Sequence, residues 1–392
     1  MIIQPKIRGF ICTTANPEGC QRAVEEQIDY VKAHAPLTGP KRVLIIGAST
    51  GYGLASRIVT AFGMKAQTIG VFYEKEADEK RTASPGWYNT AAFEKQAHAE
   101  SLYAKSINGD AFSHEVKART AELIRRDLGQ VDCVIYSLAS PRRIHPDTGH
   151  VYASVLKPIG NAYTSKTVDA FSGEVKDVTL SAASADEIND TMAVMGGDDW
   201  ALWIDYLQQQ NLLAEGVTTL AYSYIGPELT FPIYKNGTIG RAKDHLKETS
   251  DRLNETLRPL HGHARIAVNK ALVTQASAAI PVVPLYISLL YRIMKEQGTH
   301  EGCIEQMHRL FRDHVPHLGT TPANELLRLD DLEMAKSVQD QISKLWPQIT
   351  SENLTQLTDI EGYRQEFHHL FGFDFEGVPN DVDPCVKIPS LS

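Results

Sequence analysis

A chain of 392 residues with 43% hydrophobic content is long enough for one large domain or two conventional ones and can fill a substantial core. Its formal net charge of −9 excludes general nucleic-acid binding, which needs many basic contacts to phosphate. No run reaches the ~18 apolar residues of a membrane span. The five scattered cysteines include no Cys-x-x-Cys pair, so reduced thiols in a cytoplasmic protein are expected.

In chain order, the N-terminal residues carry no long apolar signal region, which agrees with a cytoplasmic location. The first strong signal is Val43-Leu44-Ile45-Ile46 running into Gly47-Ala48-Ser49-Thr50-Gly51-Tyr52-Gly53. Consecutive branched apolar residues suit a parallel strand buried on both faces, and the glycines let the chain turn sharply and approach a ligand. A helical pattern over 54–63 follows, so free N–H groups and the positive end of a helix dipole would face a pyrophosphate. An ordinary strand-to-helix turn is the bland alternative.

Further strands are predicted at 67–73, 104–108 and 131–137, with helical spacing between them such as 115–128. That alternation implies a parallel sheet with helices on both faces. Strands at 217–224 and 264–273 would extend it, and the turn-rich segment 142–180 would decorate it. Helical patterns at 284–297, 302–313, 329–345 and 362–371 change the character of the last third. The reading is one enlarged Rossmann-type α/β domain over 1–392: a dinucleotide-binding core at about 40–275, then a helical substrate lid and C-terminal elements at about 276–392.

Three strand ends suit one dinucleotide beyond the glycine turn. Glu74 lies 21 positions after Gly53, where a carboxylate accepts the adenosine ribose hydroxyls and repels a 2′-phosphate, favouring NADH. Lys75 beside it would favour the phosphate, and a solvated strand-end charge is the plain alternative. Asp110 would face the adenine amino group, and Leu138-Ala139 would line the middle of the cofactor.

The catalytic candidates follow the fifth strand. Tyr234 and Lys243 lie nine positions apart, which on one continuous helix is about 900° and opposite faces. Asn236-Gly237 is a turn signal with the helix predicted from Thr238, so Tyr234 would precede the helix and Lys243 would occupy its early turns. A phenol titrates near ~10, so a nearby ammonium is expected to sharpen it, and the same ammonium can bind ribose hydroxyls.

The glycine turn, Glu74, and above all Tyr234 separated from Lys243 by eight residues resemble the FabV-type trans-2-enoyl-CoA and enoyl-acyl-carrier-protein reductases. The resemblance runs from Met1-Ile2-Ile3-Gln4-Pro5-Lys6-Ile7-Arg8-Gly9-Phe10-Ile11-Cys12 through Thr299-His300-Glu301-Gly302-Cys303-Ile304-Glu305-Gln306. It implies NADH-dependent reduction of the C2=C3 bond of enoyl-CoA or enoyl-acyl-carrier-protein, the last step of a fatty-acid elongation cycle. Tyr234 would be the proton donor, Lys243 the cofactor-binding lysine and Tyr224 a substrate contact. Tyr73-Glu74, Asp110-Ala111, Leu138-Ala139 and Leu272-Val273-Thr274 would be the other cofactor contacts. Asn16 stands where a histidine is expected of the family.

Other motifs are set aside. Tyr163-Thr164-Ser165-Lys166 is one residue short of a Tyr-x-x-x-Lys pair, and His368-His369 and His261-Gly262-His263 lack supporting carboxylates, so no metal is expected. Gly196-Gly197-Asp198-Asp199 reads as a loop with a helix cap at one of the aspartates. The apolar tract 276–286 suits an acyl tunnel, a mobile lid or a packing helix. A carbonyl reductase or alcohol dehydrogenase, and a non-catalytic dinucleotide sensor, are the rival functions. The carrier is left open between coenzyme A and acyl carrier protein, and a monomer is the working expectation.

Overall fold

Residues Arg42–Ile46 form a strand whose side chains alternate between two apolar cores: Val43 and Ile45 face one, Leu44 and Ile46 the other. Burial on both sides is what a central parallel strand requires. In this computed structural model, which describes residues 2–9 and 11–391, that strand (β1) lies inside a seven-stranded parallel sheet, paired on both sides. The others are β2 (Gln67–Phe72), β3 (Ala104–Asn108), β4 (Val131–Tyr136), β5 (Leu213–Ser223), β6 (His263–Val268) and β7 (Leu327–Arg328). Their order, 3-2-1-4-5-6-7, reverses direction between β1 and β4, which opens a crevice at the carboxyl ends of those two strands. Met1 and Phe10 of the N-terminal signature lie outside the described residues.

Helices α1 (Pro17–Lys32), α2 (Gly51–Ile58) and α3 (Pro85–Ala99) pack into the core on the Val43 face. On the Leu44 face lie α4 (His114–Asp127), α6 (Asp198–Gln209) and α7 (Thr238–Leu257), with α5 (Ala185–Met195) against α7. A third core gathers α8 (Val283–Glu296), α10 (Lys336–Leu345), α11 (Ile360–His369) and the C-terminal tail. The short α9 (Cys303–Arg309) returns to the Val43 face. No helix among the described residues is long and apolar enough to cross a membrane.

Several boundaries differ from the sequence expectation. The helix after the glycine turn begins at Gly51 and ends in a π-helical turn, Val59–Gly63. The strand expected over 264–273 stops at Val268 because later N–H groups bond to side chains: Lys270 N–H to Gln306, Ala271 N–H to Glu333 and Val273 N–H to Tyr291. The helix expected over 329–345 is divided, since Leu327–Arg328 pair with β6 and Leu329 N–H donates to the Val268 carbonyl at 2.9 Å. Segment 142–180 forms two antiparallel hairpins, Arg142–Ile144 with Val151–Ala153 and Tyr163–Val168 with Val175–Leu180. The second packs on α8 and not on the sheet.

Candidate active site

The glycine turn has the geometry that close approach requires. Gly47 is left-handed (φ +87°), and a Cβ there would lie 2.4 Å from the Ser137 carbonyl oxygen across the crevice. A Cβ on Gly53 would lie 1.9 Å from the Gly47 carbonyl oxygen, so α2 is seated directly on the end of β1. Gly51 (φ +54°) differs, because a Cβ there would point into open space. Thr50 caps α2 without a side-chain hydrogen bond, which leaves the first N–H groups of the helix to an anion from outside. Ala48 and Ser49 are buried beneath the turn, and Tyr52 leaves it: its hydroxyl donates to the Lys270 carbonyl (2.7 Å).

At the end of β2, Tyr73 is 80% exposed and Glu74 turns inward. Ser49 Oγ donates to Glu74 Oε1 at 2.6 Å, and Gly86 leaves room for that oxygen, since a Cβ there would meet it at 2.0 Å. Burial pushes the Glu74 carboxyl up, opposed by its serine hydrogen bonds. Asp110 accepts the Phe112 N–H (3.0 Å), and the carbonyls of Ala111 and Phe112 accept from the buried Lys117 ammonium (2.9 and 3.0 Å), which also pairs with Asp199 at 2.7 Å. Leu138 and Ala139 follow β4 beside Gly47. Leu272, Val273 and Thr274 follow β6; the first two are buried and Thr274 is half-buried. All the proposed dinucleotide contacts therefore lie at one carboxyl edge. The turn's open space, its uncapped N–H groups and the inward carboxylate fit a pyrophosphate and an adenosine ribose.

Beyond β5 the chain makes a series of tight turns, with Tyr234 N–H donating to the Thr230 carbonyl (2.9 Å) and Asn236 N–H to that of Phe231 (2.7 Å). α7 then starts at Thr238, as its turn signal predicts. Gly240 permits this junction, because a Cβ there would lie 2.0 Å from the Lys235 carbonyl oxygen. Tyr234 is buried, and the Tyr224 ring meets its ring edge to face at 4.9 Å. Lys243 occupies the second turn of α7, half-buried, with Nζ 3.4 Å from the Tyr222 carbonyl oxygen, and desolvation lowers its ammonium to about 8. The phenol of Tyr234 moves the other way. Burial raises it first, and the negative charge of Glu333 adds to that. Lys243 is not among the groups that shift this phenol, so the sharpening expected of it is not seen.

Two residues of this corner, Glu333 and Lys270, carry no sequence signal of function, and a third, Tyr286, ends the apolar tract read as a possible acyl tunnel. Glu333 is fully buried; its Oε1 accepts from Tyr224 (2.9 Å) and Tyr286 (2.7 Å), and its Oε2 accepts the Ala271 N–H (2.7 Å). Tyr224, Lys270 and Glu333 follow the adjacent strands β5, β6 and β7, so the strand order brings them together.

The motifs set aside are occupied elsewhere. Tyr163 donates to the Leu229 carbonyl and Lys166 to those of Pro347 and Ile349. His368 pairs with Asp374 and His369 stacks on Phe375. Among the described residues no group of three or more His, Cys, Asp or Glu is placed to hold a metal. The N-cap of α6 is Gly197 and not an aspartate, because Asp199 is committed to Lys117 and Tyr136. Asn16 caps α1 and donates to the Pro379 carbonyl, a structural use of that position.

Comparison with known proteins agrees with this layout. Residues 81–315 match the family model of the trans-2-enoyl-CoA reductase catalytic region, and 2–79 that of the NAD(P)H binding domain of trans-2-enoyl-CoA reductase. Residues 322–383 match a model described as an enoyl reductase FAD binding domain. That segment brings Glu333 and α10 and contains no glycine-rich strand-turn-helix of its own among the described residues, so the flavin is a label of the family model. The chain is 59% identical to an enoyl-[acyl-carrier-protein] reductase [NADH] of Flavobacterium johnsoniae, over all of both chains. It is 62% identical to a protein of the same description from Coxiella burnetii, over 100% of this chain and 98% of that one. The crystal structure of Treponema denticola trans-2-enoyl-CoA reductase in complex with NAD superposes with a TM-score of 0.94, at 46% identity and 99% coverage of each chain. With the layout, the family models and these relatives in agreement, this chain belongs to the trans-2-enoyl-CoA reductase family.

Proposed function

We propose that this chain reduces the C2=C3 double bond of trans-2-enoyl thioesters with NADH, with Tyr234 as proton donor and Lys243 holding the dinucleotide. The observation that carries the reading is the placement of Tyr234 just ahead of α7 and of Lys243 in its second turn, at the same sheet edge as the open glycine turn. NADH, when bound, supplies the hydride that substrate C3 accepts. The glycine turn and the N–H groups of α2 hold the pyrophosphate, Glu74 takes the adenosine ribose hydroxyls and disfavours a 2′-phosphate, and Lys243 fixes the nicotinamide ribose. As negative charge builds on the thioester oxygen, the Tyr234 hydroxyl bonds to it more strongly than to the neutral carbonyl, which lowers the barrier. A proton from Tyr234, direct or through water, then completes C2.

The chain works as one unit, since Glu333 from the C-terminal segment contacts Tyr224 of the core. The carrier is coenzyme A or acyl carrier protein, the setting is the cytoplasm, and the enzyme acts as a monomer. The test is Tyr234→Phe assayed by NADH oxidation with crotonyl-CoA. Turnover is expected to fall at least ~100-fold, with the NADH dissociation constant unchanged; unaltered turnover refutes the assignment. Acetoacetyl-CoA replaces crotonyl-CoA as substrate if the chain is a carbonyl reductase, and NADH binding without any turnover marks a sensor. Crotonyl-CoA compared with crotonyl-acyl-carrier-protein identifies the carrier.

A further inference from the structure

We propose that Glu333 is a positioning residue for the reduction, acting through Tyr224: its carboxylate accepts the Tyr224 hydroxyl hydrogen bond and so presents that oxygen to the site as an acceptor, leaving Tyr234 as the proton donor. The inference rests on the reading of Tyr234 as the acid.

The polarity of the cluster follows from its partners. Ala271 N–H can only donate, so Glu333 Oε2 is an acceptor. Gln339 Nε2 donates to Tyr286 Oη at 3.3 Å, so the single Tyr286 proton goes to Glu333 Oε1. Tyr224 Oη lies 2.9 Å from that same Oε1, and with the carboxylate ionised it too must donate. Its oxygen lone pairs are then left to accept, while its ring stands edge-on to Tyr234.

The groups facing Glu333 are Tyr224 after β5, Lys270 and the Ala271 N–H after β6, Tyr286 on α8, Gln339 on α10 and Tyr234 before α7. Lys270 is buried, with Nζ on the Ala271 carbonyl (3.1 Å) and 4.9 Å from the Tyr291 ring centre, and it is the cation that favours the carboxylate. Burial acts against it and raises the Glu333 carboxyl. Protonated Glu333 no longer needs the Tyr224 proton, which is then free to turn into the site, donor against donor.

Glu333→Gln fixes that second state. The amide oxygen must face the Ala271 N–H, so the amide NH2 faces the two tyrosines and the Tyr224 proton is displaced into the site. The experiment measures kcat for crotonyl-CoA against pH, with NADH affinity by fluorescence, in the wild type, Glu333→Gln, Glu333→Asp, Tyr224→Phe, Tyr286→Phe, Tyr234→Phe and the Glu333→Gln/Tyr224→Phe pair. Expected are an acid limb in wild-type kcat that vanishes in both Glu333→Gln and Tyr224→Phe, and a fall of about tenfold in each. NADH affinity stays within about twofold, Glu333→Asp recovers part of the rate, and the double variant is no slower than Tyr224→Phe alone. Multiplying losses in the double variant, a surviving acid limb in Glu333→Gln, or Tyr286→Phe reproducing the whole effect overturns the proposal. Should Glu333→Gln not fold, the acid limb of Tyr224→Phe decides alone, by its loss or persistence. Full activity in Tyr234→Phe overturns the parent reading instead, and inactivity there with multiplying losses elsewhere overturns this one only.

Discussion

The affinity for NADH should weaken as the solution becomes alkaline, because burial brings the Lys243 ammonium down from 10.5 to about 8. Here the charged form is the one penalised by burial, so charge is lost as pH rises through that value. At pH 7 the ratio of ammonium to amine is about 10 to 1 and at pH 9 about 1 to 10, so the charged fraction falls from roughly 0.9 to roughly 0.09. If the dinucleotide binds only the ammonium form, its apparent dissociation constant rises about tenfold over that interval, equivalent to about 1.4 kcal/mol. Titration of NADH fluorescence at fixed ionic strength from pH 6 to 10 reads this directly. Lys243→Met should bind more weakly at pH 7 and show a flat profile. Lys270, also lowered to about 8 by burial, is the control: Lys270→Met keeps the slope. A wild-type constant that changes by less than about twofold between pH 7 and 9, or a slope that persists in Lys243→Met, refutes the role given to this lysine.

Two further outcomes follow from the dinucleotide edge. Glu74→Ala should raise the ratio of NADPH to NADH turnover by roughly tenfold or more, since it removes a like-charge contact of the kind that costs several kcal/mol; equal ratios before and after substitution would remove Glu74 from coenzyme choice. Lys117→Met should destabilise the fold by about 3–5 kcal/mol, because it leaves the fully buried Asp199 carboxylate without its cation and frees the Ala111 and Phe112 carbonyls. Denaturant unfolding measures the loss, Lys117→Met/Asp199→Asn should recover part of it, and a loss below about 1 kcal/mol would show that the buried pair is not what holds the Asp110 loop.

The placement of the proposed dinucleotide contacts was legible because their signals are local. A both-faces-buried strand, three glycines and a carboxylate at the next strand end are contiguous signals, and the sheet order then places them together. The Tyr234 turn was legible for the same reason, since Asn236-Gly237 marks where α7 begins. Glu333 was not. It lies where helical spacing suggested one continuous helix, and what changes the chain's course there is a hydrogen bond from Leu329 N–H to the Val268 carbonyl, a contact between segments 61 residues apart (329 − 268). Its meaning depends on Tyr224, Tyr286 and Ala271, which lie after β5, on α8 and after β6. Likewise, Lys243 carries a readable charge, but where that charge acts depends on burial. Periodicity reports which face of an element is covered and says nothing of which polar group on another strand end it meets.

The raised phenol of Tyr234 bears on the order of the chemistry. A phenol made more acidic would offer its proton early and would spend more of its time as a phenolate at alkaline pH, beside a substrate about to become negative. With burial and the Glu333 charge both favouring the protonated form, Tyr234 keeps its proton until a stronger base appears. The carbon of a thioester enolate is such a base, and the neutral enoyl carbonyl is not. On the proposed role of Tyr234, the site would withhold its proton from the ground state and release it only after charge has reached the substrate, which is the differential stabilisation that speeds a reaction. On this account the buried carboxylate that raises Tyr234 and the lysine proposed to hold the dinucleotide would be complementary: one would delay proton transfer, and the other would set the geometry in which charge arrives first.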